Sequence, residues 1–362
     1  MNQEYIIIDP RPLEAFKDKT FSGFKKREVL NTLMKCIEKG LIEPACYWVT
    51  ECIVSGYCQE LFEKLIVYNS KIIHINNPRL PEFLWRRYDC FLSSFNHISK
   101  KKKDQLIHLR NTQSVRNCLF DIITTMTLSS KAKRFDKYPK INESIDFQMN
   151  MIQSKLNATM HLLPSYVIRF TDPEELKIIM NEFLFHLKNI NGGYENACYW
   201  VAWLIHWEKK NKKNKIKFEI EERNINEVNP KYCKDCIWLL WEVIFNECNQ
   251  RSDNIKQQIQ SLYCFFRYEY TTGKRNNRLS LIYHAIGYLT FPVKMNIPIR
   301  KNKNIYLQTQ CNINLMFKGK KNNEIKHYTP PPPKPKKKLI DLKKEISLSK
   351  FNTLIDIDEL MR

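Results

Sequence analysis

Ala45-Cys46-Tyr47-Trp48-Val49 recurs, residue for residue, as Ala197-Cys198-Tyr199-Trp200-Val201. Cys occurs 12 times and Trp 7 times in 362 residues, so chance explains such a match poorly. Internal repeats set architecture before any local feature does. The flanks match as well. Val29, Leu33, Met34, Ile37 and Leu41 precede the first copy at helical spacing, and Leu176, Ile179, Met180, Phe183, Leu184 and Leu187 precede the second. Gly40 and the pair Gly192-Gly193 end those two stripes. Glu43-Pro44 suits the first turn of the first Tyr-Trp helix, which Gly56 closes. Asp172-Pro173-Glu174-Glu175 opens the stripe before the second.

Further helices are expected at about 58–74, 81–98 and 112–128, and again at about 230–248, 253–270 and 276–290. Tyr88-Asp89-Cys90-Phe91 falls at the same stage as Tyr263-Cys264-Phe265, and Arg110-Asn111 at the same stage as Arg275-Asn276. The expected class is mainly α: two tandem diverged five-helix units with an irregular basic C-terminal extension. The expected segments are an extended leader 1–23, helical unit 24–130, linker 131–170, helical unit 171–291, basic Pro-rich extension 292–338 and tail docking segment 339–362. Ile216, Phe218 and Ile220 alternate as in a short strand or hairpin. Ile305, Leu307 and the stretch 310–317 carry weak strand character, and Pro330–Pro333 reads as a semi-rigid linker.

The chain has 59 Lys+Arg against 38 Asp+Glu, a formal charge of +21. Such an excess favours polyanions, although an AT-rich genome also enriches lysine. Twelve Lys/Arg against the single acid Glu324 in residues 292–338 supply about half of the charge. The 12 cysteines mostly sit in apolar helical segments and read as small buried hydrophobes in a reducing compartment. The N-terminal stretch has no signal-peptide pattern, and no apolar run approaches the roughly 18 residues of a membrane span.

Candidate chemistry is sparse. Trp200, Trp203 and Trp207 stand at i, i+3 and i+7, a core stripe in preference to an aromatic platform for bases. Cys233-Lys234-Asp235-Cys236 is a lone C-x-x-C with no second pair to complete a zinc site. The 8 histidines are scattered, and His206 reads as a packed side chain. With 8 glycines and no Walker or dinucleotide fingerprint, no phosphate loop is legible. No catalytic residue, metal ligand or cofactor is assigned, and the chain reads as a non-enzyme. The candidate nucleic-acid contacts are Lys100, Lys101, Lys102 and Lys103, then Lys209, Lys210, Lys212 and Lys213, then Lys336, Lys337 and Lys338. Lysine runs without arginine read backbone charge, not base identity. In the tail, Leu354, Ile355 and Ile357 form an apolar pattern suited to docking a partner.

Phe21-Ser22-Gly23, Lys25-Lys26, Glu43 to Trp48, Ser55-Gly56-Tyr57 and Ile72 to Pro81 resemble a family of uncharacterised proteins of nucleocytoplasmic large DNA viruses, the mimivirus and algal-virus relatives. The resemblance covers about residues 20–130. It implies a viral origin and a place in the host cytoplasm (the viral factory) or the virion; other viral proteins are the expected partners, and the lysine run 334–338 leaves the nucleus as an alternative. It carries no site residues. By helix count alone, the tandem units also resemble the duplicated cyclin-box fold of transcription factors. The functional expectation is non-enzymatic binding of nucleic acid or an acidic partner in genome replication, transcription or packaging. The rival is a capsid-associated scaffold without nucleic-acid binding.

Overall fold

The computed structural model describes residues 3–96, 103–132, 139–216 and 220–330. Twelve α-helices lie among these residues and no β-strand does; the single ladder contact is an isolated bridge between Lys19 and Lys25. The fold is mainly α. None of the described helices is long and apolar enough to cross a membrane. The chain divides into two compact units, Met1–Glu324 and Ile325–Arg362.

Helices α1 (Lys26–Glu38), α2 (Ile42–Val54), α3 (Cys58–Tyr68), α4 (Leu80–Asn96) and α5 (Gln113–Leu128) make a first set. A short α6 (Met149–Lys155) follows. The second set is α7 (Glu174–Lys188), α8 (Tyr194–Lys213), α9 (Ile237–Cys248), α10 (Asp253–Arg267) and α11 (Thr272–Thr290); α12 (Lys303–Lys321) comes last. In α1 the buried residues are Val29, Leu30, Leu33, Cys36 and Ile37; of the expected stripe Val29, Leu33 and Ile37 are buried, Met34 is half-buried, and Leu41 lies past the helix end and is exposed. Gly56 ends α2 at φ 77°, a conformation in which a Cβ would also meet the Leu13 side chain at 2.6 Å.

The two Tyr-Trp helices occupy comparable places. α2 packs on α1 and α5, and α8 packs on α7 and α11. Ala45 and Cys46, like Ala197 and Cys198, are buried. Tyr47 meets Trp48 edge-on at 5.1 Å and 83°, and Tyr199 meets Trp200 at 5.2 Å and 80°. Each tyrosine ring carries a lysine over its face: Lys320 at 3.5 Å on Tyr47, Lys155 at 4.0 Å on Tyr199. The tryptophans differ. Trp200 is 1% exposed, whereas Trp48 is half-buried and covered on its outer side by the leader residue Phe24 at 5.4 Å. Residues 143–155 lie along α8, where Asp146 accepts from Tyr199 Oη at 2.8 Å and from Trp203 Nε1 at 3.0 Å, whereas α12 lies on α2 and sets Lys320 over Tyr47. The fourth helices of the two sets pack on each other. Trp85 and Tyr88 of α4 meet Phe265 of α10 at 5.0 and 5.8 Å.

Several expectations are corrected. The leader is not simply extended. It forms 3-10 turns at Gln3–Tyr5 and Leu13–Phe16 and buries Ile7, Phe16 and Phe21 in the core. Asn111 clamps it by exchanging two 2.9 Å hydrogen bonds with the Ile7 backbone. The strand reading of 305–317 fails: α12 covers it and buries Thr309, Ile313, Phe317 and Lys320 against α2 and α5. No strand forms in the described part of 210–228, where Ile216 is exposed and Ile220 buried. The helix expected at 58–74 is α only to Tyr68, then a π turn over Asn69–Ile73 and a 3-10 turn over His74–Asn76. Arg275 stands inside α11, not before it. Of Pro330–Pro333, only Pro330 lies within the described residues.

Candidate ligand cleft between the helix sets

Cys233 and Cys236 are buried, free thiols near the start of α9. The ligand atoms of Glu208, Asp235 and Cys236 lie within 4.8 Å of one another. That space holds a cation of the chain itself. Arg275 Nη1 donates to Glu208 Oε2 at 2.6 Å and to Asp235 Oδ1 at 2.7 Å. Lys212 donates to the other Glu208 oxygen at 2.5 Å, and Tyr270 Oη to Asp235 Oδ2 at 2.7 Å. Both carboxylates are therefore fully engaged. Burial holds the Cys236 thiol well above its ordinary range, with Glu208 and Asp235 adding to the shift. The donor set fits a structural ion-pair network, not a metal or redox centre.

The lysines named from sequence divide between two settings. Lys209, Lys210, Lys212 and Lys213 occupy the C-terminal turns of α8, where the helix dipole favours cations. Lys209 and Lys213 are exposed, Lys210 lies over the Phe147 ring at 4.6 Å, and Lys212 is bound to Glu208. Lys103 begins a 3-10 segment that ends at Asn111. Lys100, Lys101, Lys102, Lys336, Lys337 and Lys338 lie outside the described residues, as do Leu354, Ile355 and Ile357.

A feature not read from sequence lies where the two sets meet. A cavity of about 670 Å³ opens between α1 and α3 on one side and α10 and α11 on the other. Met34, Ile66, Val67, Tyr88, Phe265 and Leu281 give it apolar walls, and Tyr268 adds a half-exposed ring. Tyr268 and Tyr88 meet edge-on at 5.4 Å and 85°. Four cations line it, Lys64, Lys71, Lys274 and Arg278, against two carboxylates, Glu60 and Glu63. Glu63 reaches across the junction to Lys274 at 3.3 Å and Arg278 at 3.5 Å. Lys26 pairs with Glu60 at 2.5 Å. Arg278 is fixed by donation to the Phe266 and Tyr268 carbonyls at 3.1 and 2.6 Å. Asn31, Asn276 and Asn277 add exposed amides at the rim.

Behind the cleft wall, the 3-10 turn after the π turn sets His74 against His284 of α11. His74 sits at φ 51° and ψ −138°, a positive-φ conformation that costs a non-glycine residue about 1–3 kcal/mol. Its ring stacks on His284 of α11 at 4.3 Å, and His284 stacks on Tyr288 at 5.0 Å. Ser70 Oγ lies 3.1 Å from His284 Nδ1, and both imidazoles are fully buried. A Cβ on Gly287 would fall 2.4 Å from His74 Cε1, so the close approach of α11 requires glycine there. Burial pushes His74 down to about 3, and burial with the neighbouring His74 ring pushes His284 well below the ordinary histidine range. Both rings are neutral at pH 7, and being stacked face to face they cannot converge on one ion. A glycine deep in a helical pattern, in a chain with 8 of them, was the one sequence signal for this contact. The cleft itself left none.

Comparison of the chain with protein-family models, with curated proteins and with solved structures gives no match. Its chemistry rests on its own residues.

Proposed function

We propose that this chain is a non-enzymatic helical protein that binds nucleic-acid backbones, or a comparably acidic partner, through its cationic exterior. The partition of charge on folding carries the reading. Among the described residues, eight carboxylates are buried against six cations, although Lys and Arg outnumber Asp and Glu in the sequence. Buried carboxylates such as Glu51, Asp121, Asp172 and Glu208 are spent on internal ion pairs. The exterior is thus more basic than the composition, and polyanions are held by such a surface with release of counterions. Lys209 and Lys213, both exposed at the end of α8, supply point charges of the kind that contact phosphates.

The resemblance of residues 20–130 to proteins of large DNA viruses supports placing the binding in viral genome replication, transcription or packaging, in the viral factory or the virion. Matched helix order, and the shared edge-on Tyr-Trp geometry of α2 and α8, support descent of both sets from one duplicated unit. Filter binding to nonspecific duplex DNA between about 50 and about 200 mM salt tests the functional reading. Affinity should fall steeply with salt. Substituting Lys209→Glu with Lys213→Glu should weaken binding and flatten the slope by about one per lost contact. No affinity at low salt removes the nucleic-acid reading and leaves an acidic protein partner or the scaffold role.

A further inference from the structure

We propose that the cleft between α3 and α11 binds a nucleotide unit, with its phosphates on Lys64, Lys71 and Lys274 and its base against Tyr268. This site is separate from the exterior lysines of α8 and does not depend on them. Its cavity of about 670 Å³ is the size of a small-ligand pocket. The lining charge is cationic, because Lys64 has no ion-pair partner among the described residues while Glu60 is already held by Lys26 at 2.5 Å. Glu63 is likewise shared between Lys274 and Arg278, at 3.3 and 3.5 Å. An incoming phosphate would therefore meet the Lys64 ammonium directly, and would share Lys274 with Glu63 at 3.3 Å and Glu269 at 3.0 Å. Lysine serves here as a point charge, which suits a phosphate of any orientation.

Phosphate binding alone would not need an aromatic wall. Tyr268 is half-exposed, lines the cavity and is propped edge-on by the buried Tyr88 at 5.4 Å. Base-on-aromatic stacking contributes about 1–3 kcal/mol and tolerates any base. The amides of Asn276 and Asn277 at the rim each present a donor and an acceptor, the pairing a base edge needs. Cations on both walls, Lys64 and Lys71 on one and Lys274 on the other, together with the Tyr268 ring and the two amides, match a nucleotide better than a lipid or a peptide. The cleft joins residues from both helix sets, so occupancy should tie the sets together.

The same chemistry occurs in a free nucleotide and at the end of a strand. Isothermal titration of the full chain with nucleoside triphosphates, the parent nucleosides, inorganic phosphate, and short single strands with and without a 5′ phosphate separates these sources. Saturable binding of nucleotide is expected, weaker by about tenfold for nucleoside or phosphate alone. Lys64→Glu, at an exposed position, should cost about tenfold in affinity with unchanged melting of the free protein. Tyr268→Ala should weaken nucleotides more than inorganic phosphate. Binding of the phosphorylated strand alone, lost in Lys64→Glu, would identify the strand end as the ligand. No saturable binding of any nucleotide or strand at millimolar concentration overturns the proposal. So does binding that neither substitution changes. Lys209→Glu with Lys213→Glu should leave nucleotide binding intact, so failure of the exterior-surface reading stays distinguishable.

Discussion

Lys320 Nζ lies 2.6 Å from Glu51 Oε2, and both side chains are buried, at 3% and 0% exposure. The pair fastens the last helix, α12, onto α2, and the same ammonium sits 3.5 Å over the Tyr47 ring. Burial alone would raise the Glu51 carboxyl, but hydrogen bonds from Lys320, Thr20 and Ser22 hold it below its ordinary range. An ion pair this deep is costly to break from one side, because the remaining charge stays buried without a partner. Lys320→Met should destabilise the protein by about 3–5 kcal/mol in urea unfolding. The double change Lys320→Met with Glu51→Leu should recover much of that loss. A single variant as stable as the parent would show that α12 is not anchored there.

Arg275 poses a similar question at a different site. It bridges Glu208 and Asp235 at 2.6 and 2.7 Å, joining α8, the turn before α9, and α11. Arg275→Ala leaves two carboxylates and the Cys236 sulfur close together with only Lys212, on Glu208, to balance them, and should cost about 3–5 kcal/mol. Added zinc should then raise the melting temperature of the variant and leave the parent unchanged. Equal responses of the two proteins to zinc would disprove the assignment.

The tryptophans of the repeated pentapeptide should differ in their contributions. Trp200→Ala removes a ring that is 1% exposed and should cost about 3–5 kcal/mol. Trp48→Ala removes a half-buried ring that meets Phe24 edge-on and should cost about half as much. Equilibrium unfolding of the two variants side by side checks the order. The reverse ranking would mean that the leader turn shields Trp48 more completely than its packing indicates.

These contrasts mark where the sequence was legible. The Tyr-Trp helices were readable because the repeat, the glycine stops and the apolar stripes are all local. α12 was not. Its buried residues Thr309, Ile313 and Phe317 keep helical spacing, but Asn and Gln between them dilute the stripe, and Ile305 and Leu307 mimic alternation. Only long-range docking on α2 and α5, with Arg116 over the Phe317 ring at 3.7 Å, completes the helix's apolar face. The cleft was beyond reach for the same reason. Glu63 and Lys274, which meet across it, stand 211 positions apart, and no local pattern records that pairing.

The stacked histidines make acid stability the sharpest remaining test. His74 and His284 are 4.3 Å apart, buried, and faced by Ser70, Tyr194, Tyr288 and the Tyr283 backbone, with no carboxylate among these neighbours. In the unfolded chain each imidazole takes a proton near its ordinary value of about 6.5. Folded, His74 resists protonation down to about 3, and His284 also lies well below its ordinary range. Their stabilising contribution is therefore complete above about pH 6.5 and is lost as the pH falls towards those folded values. Each histidine should remove about 1.4 kcal/mol per pH unit across that window, before carboxylates add their own effect. His284→Phe keeps a ring against His74 and Tyr288 and eliminates one of the two protons. Urea midpoints of parent and variant between about pH 7 and about pH 4 should diverge, the variant losing less stability with each unit. Parallel lines for the two proteins would show that His284 is already protonated in the folded chain, and the neutral stack would have to be abandoned.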